Sequence, residues 1–125
     1  MPKILILSDD PDNLKLYKLI IEQEGYDCVT ATTPQDTLFY LRTSEINVLY
    51  MVGLYSFSNF DGLEFYQQLK SDPQLCKIPV IIYTSRIFSD LKPNPADYGD
   101  TLFVMPLVIR NLREKLKELT GTGKG

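Results

Sequence analysis

Lys3-Ile4-Leu5-Ile6-Leu7-Ser8-Asp9-Asp10-Pro11-Asp12-Asn13 is the stretch whose reading decides the architecture. Its first five residues form a short apolar run, as in a strand buried on both faces of a parallel sheet. Ser8-Asp9-Asp10 breaks the run, and Pro11 stands where proline is tolerated, at the first position of a helix. Leu14, Leu16, Tyr17, Leu19, Ile20 and Ile21 then recur at helical spacing, and Gly25 supplies the C-terminal cap. A strand, a polar turn and an amphipathic helix make one βα unit.

The same unit recurs along the chain. Residues 27–31 read as a second strand. Thr33 is the expected N-cap of a second helix with Pro34 at its first position, and Leu38, Phe39 and Leu41 are expected to face the core. Ile46 to Val52 reads as a third strand, almost wholly apolar and hence central. A third helix is expected over 61–70. Ile78 to Tyr83 reads as a fourth strand with Pro79 near its start, and Thr101 to Met105 as a fifth, followed by Pro106. Leu112, Leu116 and Leu119 mark one buried face of a final helix over 107–119. Pro93 and Pro95 leave room for at most two turns of a fourth helix after Arg86. Alternation of this kind implies right-handed crossovers and a doubly wound α/β sheet of five parallel strands with helices on both faces, a flavodoxin-like (βα)5 fold. Ligand chemistry in such a sheet belongs at the carboxyl ends of the strands. Residues 1–120 are expected to form one domain, and 121–125 a flexible tail or linker stub.

Bulk properties narrow the function. The 125 residues carry a net charge of −3, which argues against a nucleic-acid or anionic-membrane surface. No apolar run is long enough to cross a membrane, and the first residues do not resemble a secretory leader, so a cytoplasmic location is expected. Two cysteines, Cys28 and Cys76, are too few for a disulfide framework, and Cys28 is expected to be a small buried thiol. The chain has no histidine, which removes the usual general base and the commonest metal ligand. An enzyme is not expected.

The chain resembles the receiver domain of two-component response regulators across nearly all of residues 3–119. The stretches that carry the resemblance are Ile4 to Asn13, Glu22-Gln23-Glu24-Gly25-Tyr26, Asp61-Gly62-Leu63-Glu64, Ile78 to Ser85, and Val104-Met105-Pro106. The resemblance implies a site of five parts. Two acids after the first strand help to hold Mg²⁺, and an Asp ending the third strand takes the phosphoryl group. A Ser or Thr ending the fourth strand hydrogen-bonds that group, and a Lys ending the fifth pairs with it.

The positions of this chain depart from that pattern. Ser8 and Asp9 take the places of the two acids, with Asp10 the acidic loop residue that follows; an alternative register makes Asp9 and Asp10 the pair. The phosphoacceptor place falls on Val52, or on Gly53 or Leu54 with a small shift, and no Asp lies between Asp36 and Asp61. Thr84 matches the hydroxyl. Met105 stands where the Lys should be, and a thioether is neither a cation nor a good acceptor. Any metal binding at Asp9 and Asp10 is expected to be weak, and Asp9 also reads as a plain loop-anchoring carboxylate. No cofactor is expected.

The resemblance thus implies a degenerate receiver that signals through a protein partner. The expected partner face combines Ile87, Phe88, Leu91 and Tyr98 with Phe103, Arg110 and Arg113, with a homodimer there as one form of the contact. Two further readings stay open. One is a small-molecule sensor at an aromatic-rich sheet end that includes Tyr50 and Tyr83. The other is a receiver phosphorylated at an unorthodox residue such as Ser56, Ser58 or Asp61.

Overall fold

The computed structural model describes residues 2–52, 62–84, 101–104 and 109–121, with side chains for 2–52, 65–83 and 109–121. Five strands, β1 (Lys3–Leu7), β2 (Asp27–Ala31), β3 (Val48–Val52), β4 (Val80–Thr84) and β5 (Thr101–Val104), form one parallel sheet in the order β2-β1-β3-β4-β5. This is the doubly wound order whose reversal falls between β1 and β3. The described helices are α1 (Pro11–Gln23), α2 (Pro34–Thr43), α3 (Gly62–Lys70) and α4 (Ile109–Thr120). The segment expected to hold a further helix, 86–95, lies outside the described residues.

Local chemistry sets the element ends. Asp10 is the N-cap of α1, its Oδ1 accepting from the Asp12 N–H at 2.9 Å, with Pro11 in the first turn. Gly25 follows the helix with φ 94°, where a side chain would be strained. Thr33 caps α2 in the same way, accepting from the Asp36 N–H at 3.1 Å. β3 starts at Val48 rather than Ile46, because Asn47 pairs with Lys3 through both its N–H and its side-chain oxygen before the strand begins. β4 starts at Val80 rather than Ile78, since the Ile78 N–H turns back to the Leu75 carbonyl. Lys70 closes that connection by donating to the Cys76 and Ile78 carbonyls at 3.1 and 3.0 Å.

The side chains of each strand alternate between two cores. Leu5, Leu7, Leu49, Met51, Val80 and Ile82 pack with Leu41 of α2 and Phe65 and Leu69 of α3. Ile4, Ile6, Val48, Tyr50, Val52 and Ile81 pack with Tyr17 and Ile21 of α1 and Leu112 and Leu116 of α4. Phe39, expected to face the core, is instead 61% exposed, and Leu16 and Leu19 of the α1 helical repeat are 50% and 57% exposed. The sheet covers one side of each helix, and these three point away from it. Cys28 is partly rather than fully buried.

Candidate functional site

The register brings the expected site residues to one end of the sheet. Leu7 pairs with Met51, Val52 with Tyr83, and Thr84 with Val104. Ser8 follows β1 directly, Val52 ends β3, and Thr84 ends β4. Ser8, Val52 and Thr84 are therefore neighbours along the carboxyl edge. Gly53 and Met105 lie outside the described residues, although Val104 sets the strand position from which Met105 follows.

Ser8 is 1% exposed and Val52 5%. Ser8 is held from both sides: its N–H donates to the Ala31 carbonyl at 3.1 Å, and its Oγ accepts from the Asp10 N–H at 3.2 Å. That hydroxyl fits a buried turn which a second carboxylate could occupy only at a desolvation cost. Asp9 and Asp10 are exposed. The Asp10 carboxylate is already engaged in capping α1. The described donors therefore amount to one uncommitted carboxylate, that of Asp9, beside a buried hydroxyl and an isopropyl group. Of the oxygens that a hard octahedral cation takes, this set would supply few, leaving the rest to water. Among the described residues, no three acids or cysteines stand close enough to hold a metal ion.

Behind this edge, on the α1 and α4 side, lies a set of three tyrosines. The Tyr17 ring meets Tyr50 edge-on with centroids 5.0 Å apart, and Tyr83 at 6.4 Å. Tyr50 is wholly buried, and its hydroxyl has no hydrogen-bond partner among the described residues. Burial pushes its phenol far above the ordinary range. Tyr17 adds to that shift, although the two hydroxyls miss hydrogen-bond geometry. Burial also raises Tyr17. On the same face, burial, helped by Glu22, pushes the Cys28 thiol up to about 12. Tyr50 therefore packs in the core beside α1 and α4. The contact with Tyr17, from the first helix, joins residues far apart in the chain, and no local pattern could have announced it.

Of the expected partner face, Ile87, Phe88, Leu91 and Tyr98 lie outside the described residues, and Phe103 is described only as part of β5. Arg110 is exposed on α4. Arg113 turns toward α1, its Nε 3.1 Å from Glu24 Oε2. That ion pair joins the last helix to the end of the first.

Comparison with known proteins matches this architecture to one family. The family model for the response regulator receiver domain matches residues 4–116. The chain is 23% identical over 128 residues to a chemotaxis protein CheY homolog of Campylobacter jejuni, covering 98% of this chain and 95% of that one. It is 31% identical over 86 residues to the polar-differentiation response regulator DivK of Brucella anthropi, covering 68% of each. Among solved structures, a two-component response regulator from Clostridium difficile superposes with a TM-score of 0.81 at 18% identity, covering all of both chains. At that identity the likeness speaks for the fold alone.

Proposed function

The chain belongs to the response regulator receiver domain family of two-component signalling, and from that premise we propose that it works without accepting phosphate, through contact with a protein partner. The observation that carries this reading is Val52. It ends β3, where the family's pattern calls for the phosphoacceptor aspartate, and it is 5% exposed within the core shared with α1 and α4. A hydrocarbon side chain has no atom that can attack a phosphoryl donor.

The neighbouring positions support the same reading. Developing charge on a transferred phosphoryl group needs a cation and fixed donors around it. Here Ser8 takes the place of one acid and is held in a buried turn. Met105 takes the place of the lysine. Thr84 at the end of β4 keeps the family's residue type, but a hydroxyl alone does not carry the transfer. With the phosphoryl chemistry gone, the fold remains as a scaffold for a binding surface, and its partner is a protein of a signalling pathway.

Incubation with acetyl phosphate and Mg²⁺ tests this directly. The intact mass is expected to stay unchanged, beside a phosphorylatable receiver that gains one phosphoryl group under the same conditions. An adduct on this chain that hydroxylamine removes overturns the reading, since that sensitivity identifies an acyl phosphate.

A further inference from the structure

We propose that the outer face of α1 is a self-complementary surface on which a second copy of this chain docks, with the two helices antiparallel about a two-fold axis. The proposal does not rest on the absence of phosphate chemistry. The starting observation is exposure in the wrong place. α1 buries Tyr17 and Ile21 against the sheet and partly buries Leu14 and Ile20, which satisfies its apolar face. Leu16 and Leu19 stand on the other side, 50% and 57% exposed. Among the described residues only Phe39 joins them as a large exposed apolar side chain. It lies on α2, across the sheet, with its ring against Tyr40. Leu16 and Leu19 are thus a pair, one turn apart on one helix.

What surrounds them selects the occupant. At about 100° per residue, Asp12, Leu16, Leu19 and Gln23 fall on one stripe, with the two leucines in the middle. All four are exposed. Lys15 and Glu22, also exposed, lie together along one flank of that stripe. A two-fold axis midway between Leu16 and Leu19 sets each leucine against the other leucine of the second copy. Asp12 and Gln23 close the two ends of the contact. In an antiparallel pair the same flank meets the same flank, so Lys15 of one copy faces Glu22 of the other with an axial offset of roughly 3 Å, two residues of rise. That is within reach of a lysine, and symmetry makes the contact twice. Inside one copy Glu22 is held only loosely, 3.7 Å from Lys18 with both side chains about half exposed, and so is available for exchange. A foreign partner would have to bring a base and an acid at matching positions, whereas a second copy brings them by construction. The contact is small, two leucines and one flank of charges per copy, and the dimer is correspondingly weak.

The test is sedimentation equilibrium of the full chain from about 5 to about 500 µM, the range in which a small interface saturates. The wild type is expected to pass from monomer to dimer. Leu19→Glu, an exposed change that leaves the core alone, is expected to keep it monomeric with an unchanged circular dichroism spectrum. Lys15→Glu and Glu22→Lys are each expected to weaken the dimer about threefold to tenfold, and the two together to restore it. Phe39→Ser is expected to change nothing. A wild type that stays monomeric throughout overturns the proposal. So does a dimer that survives Leu19→Glu, which would place the contact elsewhere, or a double charge exchange weaker than either single one. A monomer that instead binds a foreign helical protein through Leu19 assigns the face to that partner and also overturns it.

Discussion

On one side of the sheet Leu5, Leu7, Leu49, Met51, Val80 and Ile82 meet α2 and α3 as a layer with no hydroxyl in it. On the other, Ile4, Ile6, Val48, Tyr50, Val52 and Ile81 meet α1 and α4 around a wholly buried tyrosine. Two of the buried hydroxyls, one on each side, are treated differently. Thr37 of α2 is 0% exposed and donates to the Thr33 carbonyl at 2.9 Å. Tyr50 of β3 donates to nothing among the described residues. The position that ends β3, Val52, belongs to the second side. Val52 therefore shares its face with a buried hydroxyl that has no partner among the described residues, and that face is expected to answer sharply to added charge.

Val52→Asp is the strongest way to break this comparison. It restores the family's residue type at the end of β3, but it puts a carboxylate where Val52 is 5% exposed and packed with Tyr50 and Tyr83. With Ser8 committed to its turn and one uncommitted carboxylate nearby in Asp9, nothing described offers a compensating positive charge. The expected cost is about 3 kcal/mol or more, read as a fall in the urea midpoint at unchanged slope. A variant as stable as the wild type would mean that this end of the sheet is open and solvated, and the two faces would then differ less than their packing implies.

Next in size is the response to alkali. Cys28, Tyr17 and Tyr50 all lie on the α1 and α4 side, and burial raises all three. In the unfolded chain the thiol loses its proton near 9.0 and the phenols near 10.0, before they do so in the folded protein. Stability from these groups is therefore complete below pH 9 and drains as pH rises toward about 12, where folded Cys28 titrates. Melting temperature is expected to fall steadily from about pH 9 upward. Tyr50→Phe is expected to flatten that fall. The Thr37 hydroxyl on the other side does not titrate in this range and contributes no slope. A melting temperature that is flat to pH 11 would contradict a sealed face.

How far such contrasts were legible in the sequence depends on the kind of information each needs. Short apolar or β-branched runs located all five strands, and β2 matched residue for residue. Caps were legible because they are local: Thr33 with Pro34, and Gly25 after α1, need only a side chain within three residues or a permissive φ. The faces of α1 were not. Its window holds six apolar residues that spread around the helix, and one sheet can cover about half of a helix surface. Which half is buried follows from the crossover that lays α1 on the sheet, so spacing alone could not separate Leu16 and Leu19 from Tyr17 and Ile21. Phe39 failed for the same reason on α2. At the site, Val52 was legible by counting from Asn47. The turn that buries Ser8 was not, since it needs the pairing of Ser8 with Ala31 on another strand.

The smallest effects compare the two buried hydroxyls themselves, and here the signs are opposite. Thr37→Val keeps the shape of the side chain and removes a hydrogen bond. The Thr33 carbonyl still accepts from the Thr37 N–H at 3.0 Å, so no acceptor is orphaned, and the expected loss is about 1 kcal/mol. Tyr50→Phe keeps the ring that packs edge-on against Tyr17 and removes a hydroxyl that has no hydrogen-bond partner among the described residues. It is expected to cost nothing, or to raise stability by up to about 1 kcal/mol. Urea midpoints of the two variants measured side by side decide the matter. If Tyr50→Phe destabilises as much as Thr37→Val, the Tyr50 hydroxyl has a partner in the folded protein, from a trapped water or from residues 53–61. The two faces would then be equally well satisfied, and the closed, apolar character assigned to the end of β3 would have to rest on Val52 and Ser8 alone.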